Sequence, residues 1–397
     1  MQFFSFCKPS RCRAFWKQFL TFTSMSKTTN FQRNDPKIIT GWAFFDWANS
    51  AYNLVITVAI FPGYFMAVTD DKLTVLGLNL TDSALYAFAV SAAYLVIAIA
   101  SPFLSGIADY GGRKKWFLRF FTMLGSLACL SMYFFTDMKT LPLGVTAFIL
   151  ATIGFAGGLV FYNAYLPLIA TDDQYDRVSA KGFSFGYIGS IILLLVNLSV
   201  ITFYKELGFS EESFAVRLAF VMVGLWWLGF SQIPFRRLPP DIAARKGTEK
   251  LVSRGYQELK KVWRSLQHSS NTKRFLISFF FYNAGVQTVI FLASTFAEKE
   301  LHFATSDLIV LILILQLVAV VGAQFFAKVS GWKGNKFSIT VMLVIWMLIC
   351  GIAYVVTTKM EFYVLAGAVG LVMGGIQSMS RSTYSKLIPE NTSNTAS

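Results

Sequence analysis

Four polar residues, Asp46, Asn49, Ser50 and Asn53, interrupt the otherwise lipid-compatible stretch FDWANSAYNLVITVAIFPGY at 45–64. A carboxylate in such a place can pair with a cation or take up a proton, and an amide can donate and accept at once. Tyr162 and Asn163, Asn283 and Gln287, and Gln377 and Arg381 also sit within apolar runs. Arg381 carries a planar fork that can hold a carboxylate through two parallel hydrogen bonds, or it can stand as a plain charge near a helix end. These groups suit the binding of a small polar solute. They do not suit bond breaking: there are two histidines, His268 and His302, and neither a nucleophile with a nearby histidine, nor paired catalytic carboxylates, nor a phosphate-cradling loop is legible. The four cysteines, Cys7, Cys12, Cys129 and Cys350, have neither disulfide-framework nor metal-ligand spacing. The expectation is a non-enzyme with no metal and no other cofactor.

Side chains of this kind need rigid elements in a non-aqueous setting. The chain has 397 residues, of which 55% are hydrophobic and 14% charged, with 40 Phe, too little polarity to cover a water-facing surface. Apolar runs of about 20 residues, each enough to cross a hydrocarbon core as a helix, recur along most of the length. Ten are legible, at 42–68, 84–108, 116–135, 142–168, 182–204, 214–235, 275–296, 306–330, 337–357 and 362–387. They lack the period-two alternation of barrel strands. The expected class is therefore an all-α integral membrane bundle, set among membrane lipid.

The net charge of +14 would suit nucleic acid, but its distribution explains it better. With the N-terminus cytoplasmic, about 29 of the 35 Lys and Arg fall on the inner side, as the positive-inside rule requires, so no nucleic-acid partner is expected. The first 24 residues, broken by Lys8, Arg11, Arg13 and Lys17, lack the apolar core of a secretory signal. They read either as a segment ahead of a true start at Met25 or as a basic amphipathic surface segment.

The chain also repeats itself. WANSAYNLVI (47–56) aligns with FYNAGVQTVI (281–290), placing Asn49 over Asn283 and Asn53 over Gln287, and in each helix the two amides lie four apart on one face. Gly157 and Gly158 match Gly374 and Gly375, and the turn DYGGRKK has a worn counterpart in SGWKGNK. Six intervening helices make the halves parallel copies. The expected organisation is a cytoplasmic tail at 1–40, a six-helix bundle at 41–235, a cytoplasmic linker at 236–274 and a four-helix bundle at 275–397. Within the linker, Val252, Tyr256, Leu259, Trp263 and Leu266 mark one face of a basic amphipathic helix on the membrane surface.

Two parallel bundles joined in this way resemble the major facilitator superfamily. The turn Ser105–Lys114, SGIADYGGRK, is similar to that superfamily's signature between its second and third helices, although its leading glycine sits one place late and Tyr110 replaces a basic residue. Asp109, Gly112, Arg113 and Lys114 are in register, and the resemblance implies a gating latch made by Asp109 with helix termini and Arg113. FDWANSAYN, FYNAYLPLIA (161–170) and GGIQSMSRS (374–382) resemble the vacuole effluxer-like branch over about 41–389. That branch implies twelve helices, whereas ten are legible, so the sequence is expected to be a fragment lacking the last two.

In this superfamily helices one, four, seven and ten line the central cavity, which implies that Asn49, Asn53, Tyr162, Asn163, Asn283, Gln287, Gln377 and Arg381 line a substrate path. Interhelical hydrogen bonding is the competing role for the amides. Asp46 is expected to gate or couple, by pairing with Arg381 or taking up a proton, or else to snorkel. The resulting expectation is a secondary transporter or facilitator working by alternating access on a small polar solute, with amino acids the class implied and a proton or sodium as coupling ion. It would sit in the plasma membrane of a bacterium or the vacuolar membrane of a fungus. A receptor or scaffold signalling through the linker, and a lipid-modifying membrane enzyme, are the alternatives.

Overall fold

The computed structural model describes residues 32–75, 77–241, 260, 264 and 269–388. Ten long helices occupy the ten apolar runs: α1 (Pro36–Val68), α2 (Asp82–Gly111), α3 (Lys114–Met132), α4 (Leu141–Asn163), α5 (Tyr175–Thr202), α6 (Glu212–Phe230), α7 (Ser270–Lys299), α8 (Thr305–Lys333), α9 (Asn335–Ala353) and α10 (Lys359–Leu387). Eight of them are long and apolar enough to cross a membrane; α3 and α7 fall short by that measure. Both of these open on basic residues, Lys114 and Lys115 in α3 and Lys273 and Arg274 in α7. The amphipathic linker positions Val252, Tyr256, Leu259, Trp263 and Leu266 lie outside the described residues, as does the tail before residue 32.

Local chemistry sets the helix ends. Asp35 caps α1 by accepting the Lys37 N–H at 2.8 Å, with Pro36 supplying a fixed φ at the first helical position. α1 therefore starts several residues ahead of the expected 1–40 tail boundary. Thr81 caps α2 through the Ala84 N–H, and Thr358 and Glu361 form a reciprocal capping box at the start of α10. Between α1 and α2 a two-stranded antiparallel hairpin, β1 (Lys72–Val75) and β2 (Leu78–Thr81), pairs Leu73 with Leu80 and turns at Gly77 with φ +79°. The sequence reading, tuned to apolar runs of membrane length, left this stretch as a connection.

The middle of α1 departs from α geometry. Tyr52–Ile60 is wound as π-helix, and the Phe61 N–H bonds back to the Ile56 carbonyl, five residues earlier. In that register the next donor would be residue 62 to the Thr57 carbonyl, but residue 62 is proline and has no N–H. Tyr86 of α2 supplies the donor instead, its hydroxyl 2.7 Å from the Thr57 oxygen. The wide winding thus begins just past Asn49 and takes in Asn53, within the helix that carries the most intramembrane polar groups.

The first six helices pack mainly on one another, α1 on α5 and α3 on α4 and α6. α8 and α9 pack on α10. The two groups meet where α5 lies against α8 and α10. Glycines permit the closest crossings: a Cβ at Gly154 would lie 2.5 Å from the Gly125 Cα, and one at Gly370 would lie 2.6 Å from the Leu315 carbonyl oxygen.

Candidate functional site

Asp46 sits ten residues into α1, about 15 Å along its axis from Pro36. Tyr162 and Asn163 end α4, Ser179, Gly182 and Phe183 lie on the first turns of α5, and Arg381 lies on the last turns of α10. The fold brings these elements to one point. Arg381 Nη1 donates to Asp46 Oδ2 at 3.1 Å and to Asn163 Oδ1 at 3.4 Å. Its Nε donates to Ser179 Oγ at 2.9 Å and its Nη2 to the Ser179 carbonyl at 2.7 Å. The Tyr162 hydroxyl donates to the same Asp46 oxygen at 2.7 Å.

The guanidinium also lies 4.0 Å from the Phe183 ring centroid, 4.8 Å from Trp42 and 5.3 Å from Tyr162. Only 8% of the Arg381 side chain and 3% of the Asp46 side chain are exposed. Gly182 makes the room, since a Cβ there would lie 2.7–2.8 Å from the Tyr162 hydroxyl, Arg381 Nη2 and the Trp42 ring. A buried ion pair gives back most of its desolvation cost only when its remaining donors are satisfied, and Arg381 meets that condition through Ser179 and Asn163. One side chain from α10 is therefore held by groups from α1, α4 and α5. Of the two partners open to Asp46 from sequence, cation or proton, the geometry supplies the cation.

A second ionic cluster joins the same elements. Asp176, in the first turn of α5, accepts from Lys386 Nζ at 2.8 Å, from Asn335 Nδ2 at 2.8 Å and from the Ser330 hydroxyl at 2.9 Å. Asn335 also donates to Ser382 and Thr383 of α10 and accepts from Lys386. Ser330 and Asn335 belong to the turn SGWKGNK, which sequence comparison singled out only as the worn copy of the signature; its asparagine is the hub. The sequence reading missed Asp176, Lys386, Asn335, Ser330, Ser179, Trp42 and Phe183. The available signal was charge: Asp176 and Lys386 fall on the same expected side of the membrane.

The Asp176–Lys386 pair is 9% and 29% exposed at its two side chains, so solvent screens it more than the Asp46–Arg381 pair. Asp176→Asn is expected to weaken the contact between α5 and α10 by about 1–2 kcal/mol, shifting any open–closed equilibrium roughly five- to thirty-fold toward open. Ser378 is fully buried there, its carbonyl accepting the Ser179 hydroxyl at 2.8 Å. With Cys7, Cys12 and Cys350 changed to serine, leaving only the buried Cys129, maleimide labelling of Ser378→Cys measures the shift.

The signature turn is tied within itself and to the first residues of the linker. Gly112 adopts φ +58° as the left-handed end of α2, and Asp109 meets Lys114 at 2.8 Å. Arg113 is exposed, so the expected Asp109–Arg113 contact gives way to Asp109–Lys114: the tight turn brings Lys114, not its neighbour, back over the carboxylate. Lys115 Nζ donates to the Leu238 carbonyl at 2.7 Å, and Asp241 accepts the N–H groups of Lys115 and Trp116 at 2.7 and 3.0 Å, capping α3. Burial pushes the Asp241 carboxyl above its usual range, against those two N–H groups and the neighbouring Lys115 and Arg119 charges, which pull it down.

The amides part company. Asn49 is fully buried beside Gly158, and among the described residues neither atom of its amide has a hydrogen-bond partner. Asn53 is half-buried. Gln377 accepts from the Tyr187 hydroxyl at 2.7 Å, a further bond between α10 and α5. On α7, which packs on α10 and α8, Asn283 is half-buried and Gln287 exposed. The fold gathers Asp46, Tyr162, Asn163 and Arg381 into one cluster, places Asn49 and Gln377 beside it along their helices, and keeps Asn283 and Gln287 on a separate element.

Residues 34–395 match the family model described as vacuole effluxer Atg22 like. The chain is 31% identical over 355 residues to an uncharacterized MFS-type transporter, YxiO, of Bacillus subtilis, covering 89% of this chain and 81% of that one. Autophagy-related protein 22 of Saccharomyces cerevisiae is 26% identical over 384 residues, covering 81% and 71%. The same-named protein of Yarrowia lipolytica is 22% identical, with 65% of its length covered. Among solved structures, the human organic anion transporter MFSD10 superposes with a TM-score of 0.58 at 11% identity, covering 89% of this chain and 92% of that one. The Escherichia coli fucose:proton symporter FucP gives 0.59 at 11%, covering 88% and 87%. The all-α membrane fold is thus that of major facilitator transporters, a class of carriers and not of enzymes, and the chain belongs to the vacuole effluxer Atg22-like family.

Proposed function

We propose that this transporter moves small polar solutes, with amino acids as the class, by alternating access between a bundle at 41–235 and a second at 275–397, joined by the 236–274 linker. The path runs along α1, α4, α7 and α10, past Asn49, Asn53, Tyr162, Asn163, Asn283, Gln287, Gln377 and Arg381. The Asp46–Arg381 pair carries this reading. It is a buried charge pair whose partners belong to different bundles, so it is made in the closed arrangement and must break when the bundles part at this end. The Asp176 cluster and the signature turn, with Asp109, Gly112, Arg113 and Lys114, fall on the same expected side of the membrane. Positive-charge bias makes that side cytoplasmic, together with the N-terminus.

Separation strips a buried carboxylate of its cation, and the carboxylate then needs another: a proton, a sodium ion or a positive group on the solute. The experiment is flux of a labelled amino-acid panel through proteoliposomes, with and without imposed pH and sodium gradients. Asn49→Ala combined with Asn283→Ala is expected to lower flux at least tenfold. Undiminished flux in the double variant would remove the proposed path.

A further inference from the structure

The environment of Arg381 is built before Arg381 arrives. Its walls all come from the first six helices: Trp42 and Asp46 from α1, Tyr162 from α4, and Ser179 and Phe183 from α5. They are also braced without it. The Trp42 indole N–H donates to the Tyr162 carbonyl at 3.0 Å, and the two rings stack at 4.4 Å with 17° between planes. Phe45 also stacks on Tyr162, at 4.8 Å, and the Tyr162 hydroxyl is fixed on Asp46. Gly182 keeps the floor open. A cup of aromatic faces around a carboxylate, with a carbonyl and a hydroxyl as further acceptors, is the chemistry that recognises a desolvated organic cation.

The cation now in the cup comes from α10.

We propose that Trp42, Asp46, Tyr162, Ser179 and Phe183 form the amine subsite of this transporter: the ammonium of an amino-acid solute takes the place of the Arg381 guanidinium as the bundles part. This rests on the transport reading above and adds to it which end of the solute binds where, and what replaces the broken pair. Asp46 and Arg381 attract each other as the ammonium and carboxylate of a zwitterion would attract each of them. The closed pair is then an internal competitor of the solute, and a zwitterion placed between them satisfies both charges at once. No proton or sodium ion is needed at Asp46 in that state.

The test reads the closed contact directly. Ser378→Cys, with Cys7, Cys12 and Cys350 changed to serine, is labelled with maleimide in lipid nanodiscs in 100 mM methylammonium chloride, in 100 mM sodium chloride and in 100 mM acetamide. Methylammonium competes with Arg381 for the cup and is expected to raise the labelling rate about threefold over sodium chloride. Acetamide, similar in size but neutral, leaves it unchanged. Phe183→Leu and Trp42→Leu each keep the Asp46–Arg381 pair but remove an aromatic face, and are expected to abolish the methylammonium effect. In the flux assay, the amine-free analogue of a carried amino acid is expected to be rejected.

Equal labelling in methylammonium and sodium chloride, or a methylammonium effect that survives both aromatic substitutions, overturns the assignment. Because labelling reads occupancy without flux, the two readings fail separately. Methylammonium-driven opening without amino-acid flux removes only the transport of amino acids. Amino-acid flux in a protein whose labelling ignores methylammonium removes only the amine subsite.

Discussion

Arg381→Met is expected to destabilise the protein by about 3–5 kcal/mol, the usual cost of leaving one member of a buried ion pair without its partner. Asp46 would keep the Tyr162 hydroxyl but lose the cation, at a site where its side chain is 3% exposed. The reciprocal Asp46→Leu strands the guanidinium, though Ser179 and Asn163 still satisfy three of its hydrogen bonds, so its cost falls at the lower end of that range. The double variant is expected to recover most of the loss, because two apolar side chains of similar volume replace a buried pair at little net cost. Thermal unfolding of the four proteins in detergent, arranged as a double-mutant cycle, measures the coupling directly. A coupling below about 1 kcal/mol would place the pair among ordinary surface salt bridges and contradict the geometry. Flux separates stability from function: the double variant regains stability but stays inactive, since neither a charged solute nor the closed pair finds its partner.

Gly374→Leu and Gly322→Leu are expected to be at least as damaging, for steric reasons. A Cβ at Gly374 would strike the Ala319 backbone of α8, and one at Gly322 would strike the Leu371 backbone of α10. Backbone cannot rotate aside as a side chain can, so the helices must separate along the crossing. Even Gly374→Ala should cost about 1–3 kcal/mol, and leucine is expected to prevent a folded product. Gly367 lies on α10 two turns before Gly374, with nothing within 4 Å of its would-be Cβ. Gly367→Ala therefore serves as the control, and should be neutral or gain up to about 1 kcal/mol from helix propensity. Yield of monodisperse protein and its unfolding midpoint report all four variants. A Gly374→Ala protein indistinguishable from Gly367→Ala would mean that the α8–α10 contact is looser than described.

Much of the architecture was legible because its cause is local. A run of about 20 apolar residues has few options in a bilayer other than a helix, and so α2 at Asp82–Gly111 answers to the run at 84–108, and α10 at Lys359–Leu387 to that at 362–387. The cost of an unpaired polar group in lipid likewise singles out Asp46, Tyr162, Asn163 and Arg381 from sequence alone. The hairpin at Lys72–Thr81 escaped notice since four-residue strands carry little periodicity, and the π turn did so because its register depends on a donor from another helix, Tyr86.

Which groups pair was settled only by packing. The sequence makes Asp46 a residue that must find a partner, but Arg381 is 335 positions away, and many other cations lie nearer along the chain. The same holds for Asp176, whose partners come from α8, α9 and α10. The alignment of Asn49 with Asn283 suggests that both amides line one path, yet Asn49 is fully buried beside Gly158 while Asn283 stands half-buried on α7. Hydrophobicity and helix length are sums over neighbours in the chain, so a sequence states them directly. A charge pair, an aromatic cup or the crossing at Gly374 depends on where distant helices come to rest, and that follows from the packing of the whole bundle.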